Sequence, residues 1–276
     1  MRWLMAALMA PFFAACVSSA IAPPAEQVAT TRRIHVVPIE PPPLILPAQY
    51  QTKVDAVGLT QVPLALAGGD LSLVRGFGVL NTLLVVVELS QISSRPIGPA
   101  PPVPEWHPNA STTEQVKVWV PTVALAREVE RQLGGRGVEV SVDRGVRPLP
   151  GVAQRGVTAL MENWMAPIRG YYNDTKPDST YASLGSGPSF VVLEVGVMNY
   201  EVGPGSHLLV QVFMRLVDPA TGRLIGRARA ADPFHPVSVD PLEETLANDA
   251  AKFKVIFDAA TRGLVADALR QLGLAH

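Results

Sequence analysis

Cysteine is almost absent from this chain of 276 residues: Cys16 is the only one. A single thiol excludes a disulfide framework and fits export without one. An excess of charge of either sign is also missing. Lys and Arg number 23 against 24 Asp and Glu, a formal net charge of −1. A general nucleic-acid binder would show a basic surplus to neutralise phosphate, so that class is excluded. Catalytic motifs are lacking too. No G-x-x-x-x-G-K-[ST] loop occurs. The stretch "LGSGPS" has Gly185, Ser186 and Gly187 at the wrong spacing for a nucleophile elbow and ahead of a strand. "GGRG" closes a helix, at the negative end of the dipole, where phosphate is not held. His35, His107, His207, His235 and His276 pair with no other ligand type at a zinc-binding spacing. Glu243 and Glu244 sit in a first helical turn, where they complement the dipole. The expectation is a protein that is not an enzyme and uses no cofactor and no metal.

What is present begins at the N-terminus. Arg2 gives a positive start, and Trp3 to Ala15 form an apolar run broken by Pro11. About a dozen residues is short of the ~20 a spanning helix needs, so a secretory signal over residues 1–15 is expected. Ala14 and Ala15 stand directly before Cys16. That pattern resembles the lipobox of bacterial lipoproteins, in which the cysteine is acylated with palmitate-type chains and becomes the mature N-terminus. Phe13 departs from it, since the family has Leu or a similar aliphatic residue there. A rival small-x-small site, Ala20-Ile21-Ala22, is followed by Pro23, a poor residue after a scissile bond. The resemblance implies lipidation at Cys16. Val17, where Asp would retain an enterobacterial lipoprotein at the inner membrane, points to the outer membrane facing the periplasm, with the inner membrane as the alternative.

Composition divides the rest. Residues 16–32 read as the lipidated cysteine and a flexible tether rich in Ala, Ser, Pro and Thr. A single periplasmic domain is expected over 33–276. An apolar insert lies at about 59–92, and a proline-rich connector at about 93–111. Leu71–Gln91 is the most apolar internal stretch, interrupted by Arg75, Asn81 and Glu88. It reads as a buried or amphipathic helix, a membrane-surface segment or a spanning element. Ile34 to Ile39 reads as a strand. Val123, Leu125, Ala126, Val129 and Leu133 mark one helical face, with Pro121 in the first turn. "VEVSV" alternates as a strand, and a weaker helix over Val157 to Tyr171 contains Pro167. "SFVVLEVGVMNYEV", "HLLVQVFMRLVD" and "LIGRARAAD" read as an antiparallel meander joined by "GPGS" and "DPATGR". Asp240 caps a closing helix with Pro241 first in it, one helix or two joined, ending before Gly273. The fold class expected is α+β. Its mixed or largely antiparallel sheet ends in a three-strand meander and is covered by the long C-terminal helix and a second helix.

The segment "VVLEVGVMNYEV…LLVQVFMRLVDPATGRLIGRARA" followed by "FDAATRGLVADALRQLG" resembles the C-terminal half of periplasmic lipoprotein domains. These include the curli-secretion lipoprotein family and the N-terminal domain of the Tol–Pal translocation protein. About ninety residues carry the resemblance, which implies a fold and not an activity. The expected function is a lipid-anchored envelope protein that binds other envelope proteins or self-assembles. The alternative is an oligomeric secretion or transport component whose segment 71–91 enters the membrane. Trp164, Arg169, Tyr171 and Tyr172 are the candidate partner surface, since such a mix often anchors partners; a tyrosine-rich packing edge is the other reading.

Overall fold

Runs of β-branched and apolar residues form eight strands in the computed structural model, which describes residues 20–42, 44–46, 64–66, 119–152, 162–185, 187, 189–203, 205–231 and 237–275. The strands are β1 (Arg33–Pro38), β2 (Leu44–Leu46), β3 (Leu64–Leu66), β4 (Glu139–Val142), β5 (Phe190–Gly203), β6 (His207–Asp218), β7 (Arg223–Ala231) and β8 (Val237–Ser238). Four helices accompany them: α1 (Ala25–Thr30), α2 (Pro121–Leu133), α3 (Glu162–Asn173) and α4 (Leu242–Gln271). The fold is α+β with a mixed sheet, as the sequence indicates. The signal segment, Cys16, the connector 93–111 and all of the insert 59–92 except β3 lie outside the described residues.

β5 organises the sheet. One edge pairs antiparallel with β6, which pairs antiparallel with β7, giving the expected meander. The other edge pairs in parallel with β1, and β1 in parallel with β4. β2 meets the same edge of β5 further along, at Glu201, and carries β3. Across its width the sheet therefore runs β4, β1, β5, β6, β7.

Alternation sends successive β5 residues to opposite faces. Val191, Leu193, Val195 and Val197 face the core under α2 and α4, together with Leu125, Val129, Phe253, Phe257 and Leu269. Val192 and Met198 face the other way, into a core with Trp164, Ile168, Tyr171, Tyr172 and Tyr181. A register shift between Val197 and Asn199 resets the alternation, so Tyr200 and Val202 return to the first core. Burying both faces explains why β5 reads as a nearly continuous apolar run.

Three expectations need correction. The chain is not a free tether up to residue 32. Ile21 pairs antiparallel with Arg227 on the outer edge of β7 (N···O 2.8 and 2.9 Å), Pro23 is buried, and α1 follows. The weaker helix, expected to end at Tyr171, is described from Glu162 and runs unshortened through Pro167 to Asn173, two residues further. Its face of Trp164, Ile168, Tyr171 and Tyr172 packs on the sheet, and that burial outweighs the lost backbone bond. α4 begins at Leu242, one residue later than expected, with Pro241 as its N-cap and no side-chain cap. It is continuous through Gln271, with Ala250 at φ 53° marking an internal joint.

Candidate functional site

The most concentrated charge in the described chain lies beneath α3, on the second face of the sheet. Glu194 on β5 is 1% exposed, and Arg215 sits opposite it on β6. Arg147 arrives from the loop after β4, which is held by Arg147 N–H donating to the Pro38 carbonyl (2.8 Å). Tyr171 comes from α3 and Tyr181 from the 3-10 turn Ser179–Leu184. Glu194 Oε1 accepts from Arg147 Nη1 (2.7 Å), Tyr171 Oη (2.6 Å) and Tyr181 Oη (2.6 Å). Oε2 accepts from Arg215 Nη1 (2.8 Å). Arg215 Nη2 donates to the Asp174 carbonyl (2.9 Å), and Arg147 Nη2 bonds the Asp178 carboxylate. The guanidinium carbons lie 4.2 Å from the Tyr171 ring centroid (Arg215) and 4.9 Å from that of Tyr181 (Arg147), within cation–π range.

Two guanidinium groups thus face two carboxylates, so the charge of the network balances. A buried ion is tolerable only when paired and hydrogen-bonded, and Glu194 receives four donors. Asp178 is the one member near water, with its side chain 40% exposed. Partial burial pushes its carboxyl up, but the Thr180 hydroxyl and amide and the Arg147 guanidinium outweigh that and hold it below the ordinary range. The phenols of Tyr171 and Tyr181 are driven well above their ordinary value. Burial is the main cause, and the Glu194 carboxylate adds to it.

Chemically, this arrangement is closed. Every donor named here points at Glu194, Asp178 or a carbonyl, and the phenol protons are held inward. Its effect is mechanical: it ties the loop after β4, the end of α3 and the 3-10 turn to the central strands. Alkaline titration checks it. A phenol whose folded value is raised stabilises the fold below the unfolded value near 10 and loses that contribution as pH climbs toward the folded value. Tyr200, fully buried beside Phe257, is raised by burial as well. Tyr171, Tyr181 and Tyr200 should therefore show no phenolate absorbance at 295 nm until the chain unfolds above pH 10. Smooth ionisation of all five tyrosines with the far-UV circular dichroism intact would contradict the network.

The four residues expected to form a partner surface separate. Trp164, Tyr171 and Tyr172 are buried at 6%, 8% and 1%, and only Arg169 is exposed. The packing-edge reading holds for the aromatics. Among the histidines, His35 bonds Ser141 Oγ (2.9 Å) and His207 is half-buried, while His107, His235 and His276 lie outside the described residues. No group of three His, Cys, Asp or Glu side chains among the described residues could hold a metal ion. No described helix is long and apolar enough to cross a membrane.

Sequence reasoning missed Glu194, Arg147, Arg215 and Asp178. The available signal was a lone acid in "VVLEVGV" and a lone base in "VFMRLV", since an isolated charge inside a two-sided apolar strand needs a partner. Compared with known proteins, the chain matches no family model, no curated protein and no solved structure. The resemblance to periplasmic lipoprotein domains therefore rests on those C-terminal sequence segments alone.

Proposed function

We propose that this protein is a non-catalytic envelope lipoprotein. It is cut before Cys16, acylated there and held at the outer membrane facing the periplasm, and its domain binds other envelope proteins or assembles with itself. The pairing of Ile21 with Arg227 carries this reading. A cut at the rival Ala20-Ile21-Ala22 site would remove Ile21 and leave Pro23 as the first residue. A cut before Cys16 keeps every described residue of the domain. The closed network beneath α3 supports a scaffold over a catalyst, since its acid and phenols are already engaged with one another.

Two measurements test the proposal together. The intact mass of the mature protein should correspond to a chain beginning at acylated Cys16. The Cys16→Ser variant should move from the membrane fraction to the soluble fraction. A mature chain beginning at Pro23, or a Cys16→Ser protein that still requires detergent for release, would overturn it.

A further inference from the structure

We infer that the domain turns its β7 edge to the bilayer, where arginines along that edge meet anionic lipid headgroups. This rests on acylation at Cys16. Four peptide steps separate Cys16 from Ala20. At 3.3–3.6 Å per residue they span at most ~14 Å. The point of attachment is fixed as well, because Ile21 lies on β7. Its pairing with Arg227 is antiparallel, so the chain from Ile21 back to Ala20 runs in the direction of Ala228 and Arg229. The opposite edge, β4, is four strand spacings away, ~19 Å at about 4.8 Å each. The leash is shorter than the sheet is wide, so the β7 edge meets the headgroups first.

Charge at that edge matches an anionic surface. β7 contains Arg223, Arg227 and Arg229 and no acid. Gln271 exchanges hydrogen bonds with the Arg229 backbone (3.3 and 3.0 Å), which brings the end of α4 and Arg270 to the same place. Arg227 donates to the Tyr172 carbonyl (3.2 Å), so α3 also borders the edge, and exposed Arg169 stands one turn before Tyr172. The neighbouring acids are Asp218, opposite Arg223 at the start of β7, Asp267, paired with Arg270 at 2.7 Å, and Asp174 just past α3. Arg227 and Arg229 are therefore the β7 arginines set away from an acid on the paired strand. Ile21, 38% exposed, supplies an apolar group beside them. Such charges act on a membrane within about a Debye length, ~8 Å at physiological salt. A leash of at most ~14 Å lets the edge come down to that range and keeps it from moving far beyond. A strand of another protein is a poorer occupant, because Ile21 and Gln271 already bond the outer backbone of β7 at Arg227 and Arg229.

The full lipidated protein allows a direct test. Acylation occupies its only native cysteine, so a cysteine placed at exposed Ala231 on β7 or exposed Glu139 on β4 takes one fluorophore. Each labelled protein is reconstituted into phosphatidylcholine vesicles with or without phosphatidylglycerol and with a quencher on the headgroup. The label at Ala231→Cys should be quenched several-fold more than that at Glu139→Cys in anionic vesicles. Arg229→Glu combined with Arg270→Glu should remove most of that difference while the protein stays vesicle-bound. Equal quenching at both positions in vesicle-bound protein overturns this orientation and leaves the anchor standing. A difference unchanged by the double substitution and by neutral lipid overturns the role of the arginines. An unacylated Cys16 overturns orientation and anchor together.

Discussion

Glu194→Gln should lower the stability of the fold by about 3–5 kcal/mol, the usual cost of removing one partner from a buried ion pair. The side chain keeps its shape, so no cavity forms; what changes is charge and hydrogen-bond polarity. If the amide oxygen takes the Oε1 position it can still accept from Arg147, Tyr171 and Tyr181. The amide nitrogen then points its protons at Arg215 Nη1, donor against donor. The flipped amide is worse, since it opposes three donors. Arg215 is 6% exposed and is left with only the Asp174 carbonyl and the Tyr171 ring, neither a full counter-charge. A domain of ordinary stability, about 5–15 kcal/mol, loses a large share of it. Urea unfolding followed by circular dichroism reads the shift, and Tyr181→Phe provides the scale. That variant removes one donor from an acid that keeps three, at a cost of about 0.5–1.5 kcal/mol. A Glu194→Gln protein within 1 kcal/mol of the parent would mean that both guanidinium groups reach water.

The local pattern of the fold was legible, while the long-range pairing was not. The meander, α2 and the closing helix follow from alternation, turn residues, an early proline and apolar spacing, which are properties of neighbouring residues. The parallel placement of β1 between β4 and β5 joins segments far apart in sequence, and no local signal specifies it. The buried network shows the limit most clearly. Counting back along the hairpin from Gly203 opposite His207 pairs Glu194 with Leu216, not Arg215. The irregularity between Val197 and Asn199 moves the register by one and brings Arg215 opposite Glu194 on the same face. A bulge that size has no compositional mark in "VGVMNYEV". Arg147 and Asp178 are harder still, because both come from loops whose path depends on the finished sheet. The aromatic cluster on α3 misled for a related reason. Trp164, Tyr171 and Tyr172 have the composition of a binding patch, but their helical spacing equally makes one inward face. Burial against Phe213 decides between the two.

The N-terminal segment shows how a low-complexity composition can hide order. Ala, Pro and Thr between residues 18 and 31 give no periodicity, yet the segment closes the free edge of β7 and crosses to β1 through α1. An exposed edge strand is a template for association, and covering it with the chain's own terminus blunts that hazard. The same cover places the proposed lipid attachment beside the edge. Under the proposed anchoring, one short stretch both covers the edge and sets the orientation.

Gly222→Ala should cost about 2–5 kcal/mol, and its mechanism links the β6–β7 turn to the ionic network. Gly222 has φ +68°, a left-handed conformation that an L side chain adopts at about 1–2 kcal/mol. The turn requires it. Asp218 accepts at its carbonyl from Gly222 N–H (2.8 Å), and its carboxylate accepts from Ala220 N–H and the Thr221 hydroxyl. A second cost comes from contact. A Cβ at this position would lie 2.5, 2.7 and 2.9 Å from the backbone O, C and N of Asp178. Overpacking of that kind adds about 1–3 kcal/mol. Neither partner can retreat easily, because Asp178 N–H donates to the Gly222 carbonyl (2.8 Å) and the Asp178 carboxylate is fixed on Arg147 and Thr180. Gly205→Ala separates the two costs. Gly205 has a similar φ of +78°, but its Cβ would meet only the His207 ring, at 3.4 Å. Urea midpoints should place Gly205→Ala well above Gly222→Ala, and equal midpoints would show that strain alone acts. Pushing Asp178 away also breaks its bond to Arg147. The Gly222→Ala and Asp178→Asn costs should therefore add to less than their sum in the double variant, because each removes the same interaction. Strict additivity would place the turn outside the network.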